Sequence, residues 1–154
     1  MAFQSTIFSS QALGKAGTIA RLNPIDKIPV VAEKDVVAGG FVFEGTNPEL
    51  QVIGCSAETA EATKVAGVAV FEKYQWAATS GASLNINDGE ELALVRSGYV
   101  YVISSTAATH GQKVLLDPAT GVISTGSAAG DGTIDTGWVV ETGNAAGEVC
   151  EIRK

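Results

Sequence analysis

The most constraining feature of this sequence is how often turn-forming residues interrupt it. Eighteen glycines stand among 154 residues, and turn signals recur about every 8–12 positions. Between them lie short runs rich in β-branched and aromatic residues, at positions 41–44, 50–55, 65–71, 84–87, 92–96, 99–103, 113–116, 122–123, 138–141 and 148–152. This spacing predicts about eight to ten short strands. We therefore predict an all-β chain, folded as a small antiparallel β-barrel or a jelly-roll-like sandwich.

Three turn signals separate these runs. Asp88-Gly89 follows one alternating run, and residues 117–121 combine an Asp-Pro pair with a final glycine. Proline presets one turn torsion there, and glycine takes the positive one. Residues 92–96 and 99–103 flank Ser97-Gly98, which is the spacing of a tight hairpin.

The first forty residues follow a different pattern. Two prolines, Pro24 and Pro29, restrict the backbone to extended shapes and remove ladder donors. We therefore divide the chain into an extended N-terminal arm and lead-in strand, residues 1–40, and a β-barrel or sandwich body, residues 41–154. Two alternatives stay open for the leading segment: an arm that adds a strand to a neighbouring sheet, or a strand packed on its own domain.

The charge balance excludes one class of partner. The net charge is −7, and charged residues make up 18% of the chain. Because phosphate contacts need clustered Lys and Arg, we expect no nucleic-acid binding. The start of the sequence has no basic region of a signal peptide, and no stretch approaches the roughly 20 apolar residues of a membrane span. We therefore expect cytoplasmic synthesis, no membrane partner, and reduced thiols at Cys55 and Cys150.

The sequence offers no catalytic or metal-binding constellation. His110 is the single histidine, and no Gly-x-Ser-x-Gly elbow accompanies it. Cys55 and Cys150 are the only cysteines that could join His110 as zinc ligands. They are too far apart in the sequence to match the short ligand spacings of a zinc site. Asp131 and Asp135 are arranged like part of a calcium loop without its remaining acids. We expect no enzyme and no cofactor, and we assign no catalytic, cofactor-binding or metal-binding residue.

Aromatic residues carry an alternative interpretation. Tyr99, Tyr101, Trp76 and Trp138 are candidates for a stacking platform. Such residues more often pack in a core or an interface, and we prefer that interpretation. A monomeric module that binds a small ligand or a carbohydrate through an exposed aromatic groove is the alternative.

A series of motifs spans nearly the whole chain. In order, they are Gly14-Lys15-Ala16-Gly17-Thr18-Ile19-Ala20-Arg21, Val37-Ala38-Gly39-Gly40-Phe41-Val42, Gly67-Val68-Ala69-Val70, Ser80-Gly81-Ala82-Ser83-Leu84-Asn85-Ile86-Asn87-Asp88-Gly89, Val95-Arg96-Ser97-Gly98-Tyr99-Val100-Tyr101-Val102 and Gly111-Gln112-Lys113-Val114-Leu115-Leu116-Asp117. Together they resemble the structural cement, or capsid decoration, proteins of tailed bacteriophages.

The resemblance implies a non-enzymatic virion protein that binds the outer surface of a phage capsid and stabilises contacts between capsid subunits. The implied partners are the major capsid protein and further copies of this chain, as a dimer or trimer. The implied location is the capsid exterior, after synthesis in the host cytoplasm. Four apolar residues of the arm are the candidate contacts with the capsid or a partner: Phe3, Ile7, Phe8 and Leu13. A head-fibre or tail-associated barrel is a second alternative, which the missing repeats and coiled-coil stalk disfavour.

Overall fold

The computed structural model describes residues 14–70 and 85–154. These residues form eleven strands and one short 3-10 helix at Ala57–Thr59, which confirms the all-β prediction. No helix in this part of the chain is long and apolar enough to cross a membrane. The strands are β1 Ile19–Ala32, β2 Val36–Val37, β3 Phe41–Glu44, β4 Gln51–Gly54, β5 Gly67–Val70, β6 Asn85–Ile86, β7 Glu91–Ile103, β8 Lys113–Leu116, β9 Ile123–Gly126, β10 Ile134–Thr142 and β11 Val149–Arg153.

Five of these strands pair in a closed ring. β1 pairs in parallel with β4, β4 pairs antiparallel with β3, and β3 pairs antiparallel with β5. β7 closes the ring, because β5 and β1 pair with opposite edges of its residues 93–95. The β1–β7 pairing closes the ring. It satisfies the backbone groups that β1 and β7 would leave unpaired at the edges of an open sheet.

The remaining large strands extend the sheet beyond the ring in the order β7–β11–β10–β8–β9, antiparallel throughout. The chain that follows β7 covers the outer edge of β9. Ser105 N donates to Ile123 O at 2.8 Å, and Thr125 N donates to Thr106 Oγ1 at 2.9 Å. These bonds cover an edge that would otherwise be open to another chain.

Two hydrophobic cores lie on opposite faces of the ring strands. One core combines ring residues such as Val42, Leu92 and Leu94 with Val36 and Ile86 of the small β2–β6 sheet. The alternate residues of the same strands face the other core, where they pack against strands β8, β10 and β11. Strands buried on both faces need apolar residues at successive positions, which explains the continuous apolar run of β5.

The predicted hairpin at Ser97-Gly98 is wrong. Residues 91–103 form one continuous strand, β7. Gly98 has a φ of 133°, and its N–H and C=O bond to Lys154 at 3.0 and 3.1 Å, so that pairing continues through the glycine. The first half of β7 lies in the ring, whereas the second half pairs with β11. Long-range pairing therefore overrides a local turn signal.

The two other predicted turns are confirmed. The chain turns between β6 and β7 at Asp88-Gly89, where Glu90 N donates to Asn87 O at 3.0 Å. β8 and β9 form an antiparallel hairpin across residues 117–121, with Leu116 opposite Ile123.

Within the first forty residues, β1 lies inside the body. It pairs with β7 from Ile19 to Val31, and its last residues pair with β4. Pro24 falls in an irregular stretch of this pairing, and Pro29 lies opposite Ala93. Residues 1–13 lie outside the described residues, so the arm and the division of the chain at residue 40 stay predictions.

Candidate interaction surface

A groove of about 430 Å³ opens where several turns meet at the end of β7. Its lining comes from the segment before β1, the β1–β2 loop with the carboxylate of Asp35, the β2–β3 turn, the ends of β4 and β7 with the residues that follow them, and the β8–β9 hairpin. Volumes of roughly 300–1,000 Å³ are typical of sites that bury a small ligand or a few side chains. We refer to this feature as the apolar groove.

Three half-exposed aliphatic side chains line the apolar groove. Val37 is 52% exposed, Ile103 is 49% exposed and Val122 is 48% exposed. In the described part of the chain only two other large hydrophobic residues, Leu22 and Leu50, are exposed, and neither lines the groove. Single exposed apolar residues are ordinary, but a cluster in a concave site marks a place of interaction. The apolar groove is therefore the candidate site.

The Asp117 carboxylate holds the hairpin that carries Val122. Its Oδ2 accepts a hydrogen bond from Thr120 Oγ1 at 2.7 Å, and its Oδ1 accepts one from Ala119 N at 2.9 Å. These bonds favour the charged carboxylate and hold the pKa of Asp117 below its usual range. Thr59 Oγ1 donates to Pro118 O at 2.7 Å, which ties the hairpin to the 3-10 helix. This wall is therefore fixed by side-chain bonds.

Two glycines in close contact position another wall. Gly17 and Gly39 have φ values of 82° and 81°. A Cβ on Gly17 would lie 2.9 Å from Gly39 N, and a Cβ on Gly39 would lie 2.7 Å from Gly17 N. Either added carbon would push the two turns apart. This contact holds Ala16 and Ala38 at the groove.

The outer face of β1, β7, β10 and β11 carries a charged network. Arg21 Nε lies 2.7 Å from Glu151 Oε1, and Arg153 Nε lies 2.6 Å from Glu141 Oε2. The Arg21 guanidinium also lies 4.4 Å from the centroid of the Tyr99 ring. Its hydrogen bond to Glu151 holds the pKa of Arg21 above its usual value. These charged side chains form ion pairs with one another on this face of the sheet.

The structure places the candidate aromatic residues apart from the apolar groove. Trp138 is fully buried, and its ring meets that of Phe41 edge to face at 6.2 Å. Tyr99 is covered by Arg21, as described above, and Tyr101 is half-buried beside Gly14. Trp76 lies outside the described residues. Packing accounts for Trp138, and a cation–π contact accounts for Tyr99.

The polar candidates do not converge on one site. His110 is exposed, with Nδ1 2.6 Å from Glu141 O, and Asp135 accepts a hydrogen bond from Lys113 at 2.7 Å. That bond lowers the pKa of Asp135. Cys55 and Cys150 are free thiols, and burial raises the pKa of each to about 11. Residues 14–70 and 85–154 contain no group of three or more His, Cys, Asp and Glu side chains that could hold a metal ion.

The predicted contact residues and the apolar groove are different parts of the chain. Phe3, Ile7, Phe8 and Leu13 lie outside the described residues, so their role as contacts stays a prediction. Sequence reasoning missed Val37, Ile103 and Val122, because each is one apolar residue beside an ordinary turn. A turn-rich sequence indicates that turns will gather at the ends of the sheets, but no local signal shows which turns meet.

Comparisons with known proteins agree with this architecture. The family model described as structural cement protein (E217 gp24/Pam3 gp6) matches residues 3–154. A chain from "The capsid of Myoviridae Phage XM1" is 17% identical at a TM-score of 0.69, and the alignment covers 99% of this chain and 97% of that one. The head fibre gp8.5 N base of bacteriophage phi29 is 10% identical at a TM-score of 0.52, with 84% and 92% covered. No curated protein matches the chain.

Proposed function

The chain belongs to the structural cement protein family of bacteriophages, and from that premise we propose that it binds the outer surface of a phage capsid and stabilises contacts between capsid subunits. Its location is the virion, and its role there is structural. The observation that carries the proposal is the family match over residues 3–154, which spans nearly the whole chain. We further propose that the protein binds the outer face of the capsid, that it self-associates and that it is not an enzyme.

The proposed mechanism is multivalent attachment. A mature capsid is a thin shell under pressure from its DNA, and its weak points are the junctions between subunits. A dimer or trimer of this chain that contacts several subunits turns each further contact into an intramolecular event, so that modest contacts give high avidity. Because the protein would bind the expanded shell in preference to its precursor, binding would stabilise the expanded state by mass action.

The construction of the body supports this mechanical role. The ring strands are buried on both faces, and one continuous strand, β7, joins the ring to the outer strands. A body with two cores resists deformation, because packed interiors have low compressibility.

We assign the proposed capsid contact to residues 1–13. Phe3, Ile7, Phe8 and Leu13 supply the apolar surface of this segment, and each buried side chain of this kind contributes about 1.5–3 kcal/mol. An extended segment can also pair with the edge of a neighbouring sheet and so add backbone hydrogen bonds.

Truncation tests this assignment. A variant lacking residues 2–13 should fail to pellet with expanded capsids that lack the native cement protein, whereas the full chain should pellet at a fixed stoichiometry. The thermal unfolding of the truncated body serves as the control for folding. If a folded truncated protein pelleted as well as the full chain, the contact would belong to the body instead.

The head-fibre alternative has one observation in its favour, the similar fold of the phi29 head-fibre base. Both interpretations require a β-rich module on the virion. Electron microscopy of particles separates them, because a fibre base would carry a projecting fibre and a cement protein would form a low layer over the shell. The carbohydrate alternative is weaker, because Trp138 is buried and Tyr99 is covered.

A further inference from the structure

The most exposed large apolar side chain of the described residues lies on a bulge of β1. Leu22 is 82% exposed. Between Arg21 and Asp26, β1 advances by five residues whereas its partner β7 advances by two, so several residues of β1 have no partner on β7. Pro24, in the same stretch, is also exposed. We refer to Leu22 and Pro24 as the apolar knob.

The side chains around the apolar knob carry a net positive charge, although the whole chain carries −7. Gly98 connects this region, because a Cβ on it would lie 3.1 Å from Pro24 O and its backbone bonds to Lys154. Among the described residues of the bulge and the adjoining parts of β7, β10 and β11, five cationic side chains stand against three carboxylates: Arg21, Lys27, Arg96, Arg153 and Lys154 against Asp26, Glu141 and Glu151. The rest of the chain is therefore more acidic than its net charge indicates.

The apolar groove has the opposite sign. Asp35 is the one charged residue among the described residues that line it. Its Oδ1 accepts a hydrogen bond from Asp88 N at 3.0 Å, which places a second acidic residue beside it. The ammonium group of the adjacent Lys34 is paired with Glu58. In the described part of the chain no cationic side chain pairs with Asp35, so its charge is open to a partner.

Backbone groups of two glycines at the groove are already bonded within the protein. Gly39 N donates to Ala69 O at 2.8 Å. Gly121 N donates to Asp117 O at 2.8 Å. Because these donors are used, the groove favours an occupant that binds through apolar side chains over one that adds a strand.

From these complementary surfaces we propose that the apolar groove of one copy receives the apolar knob of a second copy. Leu22 packs between the three half-exposed aliphatic side chains of the groove, and the cationic residues around the knob face Asp35 and Asp88. The inference rests on the self-association proposed above and names the two surfaces that meet. Opposite charges at the contact offset the repulsion between two acidic chains.

The contact joins two different surfaces of the molecule. A single contact therefore leaves one groove and one knob uncovered, and closure as a dimer or trimer covers both surfaces on every copy. Each covered knob removes apolar surface from water, which favours the closed assembly.

Sedimentation of the isolated protein tests the proposal with one variant of each surface. Leu22→Asp changes the knob, and Val122→Asp changes the groove. Each should raise the dissociation constant of the oligomer roughly hundredfold, because a carboxylate takes the place of a buried apolar side chain. Leu50→Asp is the matched control: Leu50 is 59% exposed and belongs to neither surface, so this variant should keep the native size.

A mixture of the two variants shows whether the changed surfaces meet. Leu22→Asp keeps an intact groove and Val122→Asp keeps an intact knob, so an equimolar mixture should form a one-to-one dimer that neither variant forms alone. Thermal unfolding verifies that each variant is folded, and Val37→Asp replaces Val122→Asp if that variant does not fold.

Three results would overturn the proposal. A monomeric native protein would contradict self-association itself. A folded Leu22→Asp or Val122→Asp variant of native size would leave self-association standing but move it to another surface. A mixture that stays monomeric would mean that the knob and the groove do not meet. None of these measurements uses capsids, so they are separate from the test of capsid binding.

Discussion

Gly98 sits where β7 passes from the ring to the outer strands. Its φ of 133° is a conformation that side-chain-bearing residues rarely adopt, and a Cβ there would lie 3.1 Å from Pro24 O and 3.2 Å from Ile25 Cγ1. Glycine has no Cβ and tolerates this positive φ. The course of β7 from the ring to the outer strands therefore depends on a glycine at position 98.

We expect Gly98→Ala to lower the free energy of unfolding by about 1–3 kcal/mol, the usual cost of a strained backbone at one residue. Gly130→Ala is the control, because an added Cβ at Gly130 meets no atom within 4 Å. Denaturant unfolding measures both. Equal stabilities of the two variants would contradict the account of β7.

The two thiols should differ in reactivity. Burial raises the pKa of both to about 11, but Cys55 is half-buried and Cys150 is fully buried. The thiolate is the reactive form of cysteine. Iodoacetamide labelling of Cys55 should therefore be slow at a pH of about 8.5, where an ordinary thiol is half ionised, and should accelerate towards pH 11. The Cys55→Ser variant leaves Cys150 as the only cysteine, and this thiol should be labelled only when the protein unfolds. Labelling of Cys150 in the folded variant at the rate measured for Cys55 would contradict this prediction.

At the level of elements, the β8–β9 hairpin depends on the ionised Asp117. A carboxylate whose folded pKa is depressed stabilises the fold above its unfolded pKa, and this stability is lost as the pH falls through the folded value. Asp117 should therefore contribute at neutral pH and lose its effect below about pH 4. Asp117→Ala should lower the melting temperature at pH 7 and flatten its fall in acid.

Asp131→Ala is the matched control, because Asp131 is an exposed acid in the loop that follows β9. Thermal melts of both variants from neutral to acidic pH give the comparison. An Asp117→Ala melting curve that follows the native protein at every pH would show that the turn is held by other bonds.

The hairpins show how far the sequence can predict these elements. Residues 113–116 and the turn at 117–121 were predictable, because their bonds are local and their turn residues are diagnostic. Ser97-Gly98 has an equally strong local signal, but its backbone is paired with Lys154, more than fifty positions away. The apolar groove is a similar case, since Val37, Ile103 and Val122 meet only through the fold. Local patterns thus predict most strands of the body and most turns, but not the place of β1 in the ring, the ring closure or the candidate site.

At the scale of the whole molecule, the fold combines a closed ring with an outer set of strands through one shared strand. Covering of the edge at β9 and closure of the ring both limit sheet pairing with other chains along those edges. Within the described residues, the proposed attachment to a capsid would then use side chains, turns or the small β2–β6 sheet more readily than these two edges. The assignment of the capsid contact to residues 1–13 stays a proposal, because these residues lie outside the described part of the chain.

We propose that the protein stabilises an assembled capsid from outside. Heat-induced release of DNA, followed with a dye that cannot enter intact particles, measures this directly on virions that lack the cement protein. Adding the purified protein should raise the release temperature and saturate at a fixed number of copies per particle. An unchanged release temperature at concentrations that saturate the particles, with the protein pelleting alongside them, would contradict the claim.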